Sequence, residues 1–208
     1  MRIIAGTLKG RRLESPDWEG LRPTSDKLRE TLFNVLAARV PGARVLDGYA
    51  GTGAVGIEAL SRGASHVTFV ERDRRACALI EANLERCGVA DGYAIIPPAV
   101  LQAIAALREG GGPPFDLVLL DPPYAGPRAA GSETSAAHAV SEDIRGVLEA
   151  VGAIVAADGI VVLEHARKRT PPAAAGVLRR TRELASGDSA LTFYSCPHSP
   201  SIPGRSIR

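Results

Sequence analysis

The chain has 208 residues, 45% of them hydrophobic and 4% aromatic, with a mean hydropathy near zero. That is enough apolar material for one sizeable α/β domain with a small appendage, and it excludes wholesale disorder. The formal net charge of +2 names no partner by itself, and no run reaches the roughly 18 apolar residues of a membrane span, so a cytoplasmic protein is expected. Cys77, Cys87 and Cys196 are odd in number and lack Cys-x-x-Cys spacing, and His66, His138, His165 and His198 show no ligand spacing. Reduced thiols are therefore expected, with neither a disulfide framework nor a metal site.

The charge is unevenly distributed. Before Glu14 the chain carries Arg2, Lys9, Arg11 and Arg12 and no acid, with Gly6 and Gly10 breaking the stretch into short pieces. This predicts a small basic hairpin outside the main domain, with the character of a nucleic-acid contact. Next, Leu21-Arg22-Pro23-Thr24-Ser25-Asp26 leads into a helix capped by Thr24 or Ser25. Leu28, Leu32, Val35 and Leu36 share its apolar face, which leaves Arg22, Lys27, Arg29 and Glu30 for solvent or substrate. Pro41-Gly42 divides residues 1–40 from a main domain over 41–196.

That domain opens with a strand over Ala43 to Leu46, then Asp47-Gly48-Tyr49-Ala50-Gly51-Thr52-Gly53-Ala54-Val55-Gly56 and a helix to Ser61. Glycines between a strand and a helix let backbone approach a ligand closely, so this is a nucleotide-type pocket. Gly51-x-Gly53-x-x-Gly56 also fits the dinucleotide fingerprint, with Glu71 at the distance of its ribose acid. Asp47 weighs against that, because a carboxylate beside the turn repels a pyrophosphate and welcomes an ammonium or a sulfonium. The strand His66 to Val70 ends at Glu71, able to accept from ribose hydroxyls, and Asp73 caps a helix whose buried stripe is Ala76, Ile80 and Leu84. Tyr93 to Ile96 is a third strand, and a helix follows Pro98 and Ala99.

The fourth strand, Phe115 to Leu120, is an apolar run of the kind buried in parallel sheets, and Asp121-Pro122-Pro123-Tyr124 lies just past its carboxyl end. In open α/β sheets ligands bind there. Two prolines remove two backbone donors, and the Asp121 carboxylate adds acceptors, so the turn suits a substrate that presents a primary amine. Tyr124 can stack on a base. The tetrapeptide resembles the Asp/Asn-Pro-Pro-Tyr/Phe motif of methyltransferases acting on exocyclic amines of nucleobases, and it has no role in hydride transfer. Beyond it, residues 125–137 form a candidate lid, and a helix from about Ser141 to Val151 leads to a strand over Gly159 to Glu164. Arg167-Lys168-Arg169 reads as a solvated turn. Arg179 to Leu184 and Ser189 to Ser195 pair antiparallel, and residues 197–208 form a disordered tail.

The order of these pieces resembles the RsmD family, the bacterial 16S rRNA guanine-N2 methyltransferases, from Met1 to about Ser195. Met1 to Gly6, Leu21 to Thr24 with Arg29 to Asn34, Leu46 to Gly53, Asp121 to Tyr124, and Gly187 to Tyr194 carry the likeness. The resemblance implies a Rossmann-like class I S-adenosylmethionine-dependent methyltransferase, its seven-stranded mostly parallel sheet closed by an antiparallel C-terminal strand. It also implies an RNA-binding extension, here Arg2, Lys9, Arg11, Arg12, Arg22, Thr24 and Arg29, and a guanine in 16S rRNA or the assembling small subunit as substrate. Asp47, Tyr49, Ala50, Gly51, Thr52, Gly53, Glu71 and Ala99 are the expected cofactor residues, and Asp121, Pro122, Pro123 and Tyr124 the catalytic ones. Pro98 stands where the family often has Asn or Asp, which leaves adenine recognition to backbone near Ala99. A monomer working without metal or membrane is expected. A DNA adenine-N6 methyltransferase and a non-catalytic RNA-binding module are the alternatives.

Overall fold

A computed structural model describes residues 1–16, 18, 25–123 and 144–197. Arg22, Thr24, Tyr124, the candidate lid and the tail from residue 198 lie outside the described residues. The elements are α1 (Asp26–Val35), β1 (Arg44–Asp47), α2 (Ala54–Ser61), β2 (His66–Val70), α3 (Arg74–Arg86), β3 (Tyr93–Ile96), α4 (Val100–Glu109) and β4 (Phe115–Leu120). Then come α5, described over 144–151, β5 (Val155–Ala166), β6 (Ala174–Ala175), β7 (Leu178–Ser186) and β8 (Ser189–Ser195).

The strands form one sheet in the order β3-β2-β1-β4-β5-β8-β7-β6. The first five in that order are parallel neighbours. β8 is antiparallel to both β5 and β7, so β7 runs with the parallel set and β8 against it. The fold is the expected Rossmann-like one, with a correction to the strand count. An eighth, two-residue strand, β6, pairs with the edge of β7, where Ala174 and Ala175 meet Arg179 and Leu178.

Two apolar layers sandwich the sheet. Leu28, Leu32 and Phe33 of α1, Ile57 of α2, and Ile80 and Leu84 of α3 pack on Val45, Phe69, Leu119 and Val162 on one face. Val100 and Ile104 of α4, with Val147, Leu148 and Val151 of α5, cover Leu46, Val118, Leu120 and Leu163 on the other. The helices start where the sequence signals them. Ser25 Oγ accepts from Leu28 N at 3.2 Å, and Asp73 Oδ1 accepts from Arg75 N at 2.9 Å.

The N-terminal segment differs from a free-standing hairpin. Residues Arg2 and Arg12 make one isolated antiparallel bridge, and Ile3 and Leu13 join the α1–α3 layer, 1% and 6% exposed. Its own cross-strand bonds run from Ile3 N to Arg11 O and from Gly10 N to Ile3 O, both at 2.9 Å, and from Leu13 N to Met1 O at 3.1 Å. Three further backbone donors go to side chains of α2: Ile4 N and Ala5 N to the Glu58 carboxylate at 2.8 and 3.0 Å, and Leu8 N to Ser61 Oγ at 3.0 Å. Gly6, at φ +83°, lies so close to Ser61 that an added Cβ would stand 1.8 Å from the Ser61 carbonyl oxygen. The expected hairpin is therefore present, docked onto α2.

Candidate active site

The carboxyl ends of β2, β1 and β4 each bring one acid to the same edge of the sheet. Asp47 is the last residue of β1, Glu71 follows β2 and Asp121 follows β4. Register puts Asp47 beside Phe69 and Leu119, so Tyr49, Glu71 and Asp121 stand about level, two residues further along. The β1–α2 loop crosses between them. Gly48 N donates to Leu119 O at 2.8 Å, Ala50 N to Val70 O at 3.0 Å and Gly53 N to Ala50 O at 2.7 Å. Gly51 and Gly53 hold φ at +53° and +76°, left-handed backbone that only glycine adopts cheaply, and this turns the loop into α2.

The acids shape that loop. Asp47 is 3% exposed, and its Oδ2 accepts from Gly56 N at 2.9 Å in the first turn of α2. Glu71 spreads its carboxylate over Gly51 N and Asp73 N, both at 2.9 Å. Burial pushes the Asp47 carboxyl up to about 7. The Gly56 N–H opposes the shift, and the carboxylates of Asp121 and Glu71 add to it. A buried acid beside two more acids stabilises positive charge, and the loop beside it offers close backbone approach. An ammonium or sulfonium ligand suits this donor set, and a pyrophosphate does not. Gly56 has a packing role of its own, since a Cβ there would stand 2.2 Å from the Phe69 ring.

A sequence profile described as Conserved hypothetical protein 95 matches residues 1–195. The chain belongs to the RsmD family. Over 198 residues it is 33% identical to the Bacillus subtilis protein named "Putative rRNA methyltransferase YlbH", covering 93% of this chain and 98% of that one. It is 42% identical over 124 residues to the Escherichia coli K12 protein named "Ribosomal RNA small subunit methyltransferase D", an alignment that covers 60% of each. The solved Escherichia coli chain yhhF superposes with a TM-score of 0.74 at 30% identity, covering 94% of this chain and 97% of that one.

The structure brings most of the family's expected residues to this edge: Asp47, Tyr49 to Gly53, Glu71, Asp121, Pro122 and Pro123, with exposed Ala99 as the N-cap of α4 just past β3. Arg2, Lys9, Arg11 and Arg12 stay on the surface of the docked N-terminal segment, where Arg11 donates to Arg86 O at 3.3 Å. Arg29 is a correction. It is 0% exposed, pairing with Asp26 at 2.9 Å and Glu58 at 3.7 Å and donating to Arg2 O at 2.5 Å. A guanidinium so enclosed holds α1 to the N-terminal segment and is not available to a phosphate.

Three contributors escaped the sequence reading. Glu58, 0% exposed, accepts from Ile4 N, Ala5 N and Arg62 Nε around one carboxylate, with the Arg29 guanidinium an ion-pair partner at 3.7 Å. Asn83, also 0% exposed, donates to Thr52 O at 3.0 Å and accepts from Glu14 N at 2.7 Å, tying the cofactor loop to the N-terminal segment. Glu164 of β5, 9% exposed, is next after the Leu163–Leu120 pair and so falls level with Asp121. An acid in an amphipathic helix and an amide in mid-helix carry no local sign of such partners. Glu164 had a legible signal: it ends an apolar strand, as Glu71 does.

Proposed function

We propose that the protein transfers a methyl group from S-adenosylmethionine to the exocyclic N2 amine of a guanine in 16S rRNA, as a cytoplasmic monomer acting during small-subunit assembly. The observation that carries this reading is the Asp121-Pro122-Pro123 turn at the end of β4, one strand from the acid-lined glycine loop at the end of β1. The names borne by family relatives supply the RNA class.

When bound, S-adenosylmethionine supplies an activated methyl group on a cationic sulfur. Asp47 and the backbone from Tyr49 to Gly53 hold its methionine end, Glu71 holds the ribose, and backbone at Ala99 meets the adenine. On the substrate side, the Asp121 carboxylate and the Pro122 carbonyl accept the two hydrogens of the guanine amine. The lone pair of that amine is ordinarily delocalised into the ring, and fixing both hydrogens aims it out of the ring's conjugation. As the N–C bond forms and the S–C bond breaks the amine becomes cationic, and Asp121 takes the proton it then loses to give the neutral methylamine. Positioning dominates such a reaction, and orientation contributes about 7–11 kcal/mol in the best-held systems. Tyr124, next in the chain, stacks on the flipped base, for about 1–3 kcal/mol.

The test is methyl transfer from labelled S-adenosylmethionine to undermethylated small ribosomal subunits and to naked 16S rRNA, followed by nucleoside analysis. N2-methylguanine is expected from the wild type. N6-methyladenine in DNA, with no transfer to rRNA, would remove the RNA reading and keep the amine chemistry.

A further inference from the structure

The chain has two basic runs near its C-terminal end, and the sheet register separates them. Arg179 and Ile160 both pair with Ser195, while Ser186 and Ala166 both pair with Ser189. Arg179, Arg180 and Arg182 therefore lie on β7, two strands from β5 and level with its middle residues Ile160, Val161 and Val162. There Arg179 donates to the carbonyls of Gly176 and Leu178, and Arg180 pairs with Glu183 at 3.6 Å.

Arg167, Lys168 and Arg169 come directly after β5, on the edge that carries Asp121. β5 neighbours β4, and Glu164 is level with Asp121, so Arg167 lies three residues beyond that level, about 10 Å along the strand direction. The turn is fixed by its own backbone, with Arg167 N donating to Asp188 O at 2.8 Å and Arg169 N to Ala166 O at 2.9 Å. Arg167 and Lys168 are exposed and Arg169 half-exposed, and among the described residues none of the three side chains makes an ion pair or hydrogen bond. Elsewhere Arg29, Arg39, Arg62, Arg75 and Arg86 all pair with acids. Three cations in a row repel one another, and the hydrogen-bonded turn keeps them together with no ion pair among the described residues to relieve them.

We infer that Arg167, Lys168 and Arg169 form a phosphate-binding rim on the β5 side of the site, gripping the RNA backbone next to the target nucleotide. This deepens the proposed function and rests on it. The N-terminal cations Arg2, Lys9 and Arg12 belong to the segment docked on α2, so the rim supplies a hold separate from theirs. An acidic floor repels a polyanion, and cations beside it let the backbone approach while one base is lowered into it.

The test uses the full chain and an unmodified 16S rRNA transcript. Binding is titrated against salt for the wild type, for R167Q/K168Q/R169Q, and for R179Q/R180Q/R182Q, which removes the same charge from β7, two strands away. Loss of up to three phosphate contacts should flatten the slope of log K against log salt by about 2–3. Affinity should fall at least tenfold and KM for RNA should rise, with S-adenosylmethionine affinity and melting temperature unchanged. The β7 variant should keep most of the wild-type slope. Equal losses in both variants would reduce the effect to net charge and overturn the rim, as would an unchanged slope in the first. If the wild type methylates the RNA while the rim variant matches it, only this inference falls. A wild type that neither binds nor methylates RNA overturns the proposed function along with it.

Discussion

Two charged clusters lie on either side of the β1–α2 loop, and they differ in balance. The cluster beneath the N-terminal segment mixes signs: Glu58 faces Arg29 and Arg62, and its remaining capacity goes to two backbone N–H groups. Burial lowers the pKa of Arg29, Asp26 and Glu58 oppose that only in part, and Arg62 adds to the lowering. The cluster at the strand ends has one sign, Asp47, Glu71 and Asp121, and its most buried member is held up to about 7. Charge neutralised from within the chain builds the fold. Charge left for something outside the chain builds a site, and the molecule carries the cost of it until a ligand arrives.

The contrast breaks most sharply at Asp121. Asp121→Ala should cut the rate of methyl transfer on the order of 10³-fold, within the usual range for a positioned acid–base group. Melting temperature and S-adenosylmethionine affinity should stay close to wild type, which separates a reacting residue from a structural one. Single-turnover transfer beside a thermal melt reads both.

Breaking the balanced cluster should do the reverse. Glu58→Gln takes the buried acid from Arg29 and leaves it only half-exposed Asp26, a change that costs up to about 3–5 kcal/mol. In a domain of this size that is about 6–20 °C in melting temperature. Calorimetry should show that fall, and Arg29→Met with Glu58→Gln should recover part of it.

Asp47→Asn sharpens the comparison, because one substitution should move stability and binding in opposite directions. Asn keeps an acceptor for Gly56 N and removes the buried charge. Asp47 has a folded pKa of about 7 against an ordinary carboxyl value of 3.8, so the unfolded chain releases its proton first as pH rises. The contribution of Asp47 to apo stability therefore falls between about pH 4 and pH 7 and stays low above. Asp47→Asn should remove that fall and melt higher at pH 8, by about 2–4 °C for each kcal/mol recovered. Its affinity for S-adenosylmethionine should drop about tenfold. In the wild type the same affinity should weaken as pH drops below 7, with proton release on binding near that pH, as titration calorimetry in two buffers would show. Burial sets most of the upward shift of Asp47, and the carboxylates of Asp121 and Glu71, which face it, add to it. A higher apo melting temperature with unchanged binding would mean that Asp47 serves the loop alone.

The smallest effect is expected at Gly56. Gly56→Ala drives a methyl group into the Phe69 ring and should cost about 1–3 kcal/mol of stability, with the cofactor constant nearly unchanged.

Much of the one-sign cluster was legible in the sequence because each member ends an apolar run, and a strand end is a local event. Asp47, Glu71 and Asp121 follow Val45-Leu46, Phe69-Val70 and Leu119-Leu120, and the sheet then has to bring them to one edge. The two-sign cluster was not legible. Ile4 meets Glu58 across 54 positions and Glu14 meets Asn83 across 69, and no periodicity records such pairs. Arg29 was misread for a related reason. The period of α1 sets Leu28, Leu32 and Leu36 against the sheet, but the docked N-terminal segment covers a second side of the helix, and Arg29 lies beneath it. The eighth strand was missed because two alanines have no alternation to show.

The docking of the N-terminal segment also bears on the order in which a growing chain can take shape. Its donors at Ile4, Ala5 and Leu8 find their acceptors only once α2 exists, and Glu14 finds its own only when α3 has formed around Asn83. During synthesis Glu14 must therefore wait, unseated, until about seventy more residues have followed it.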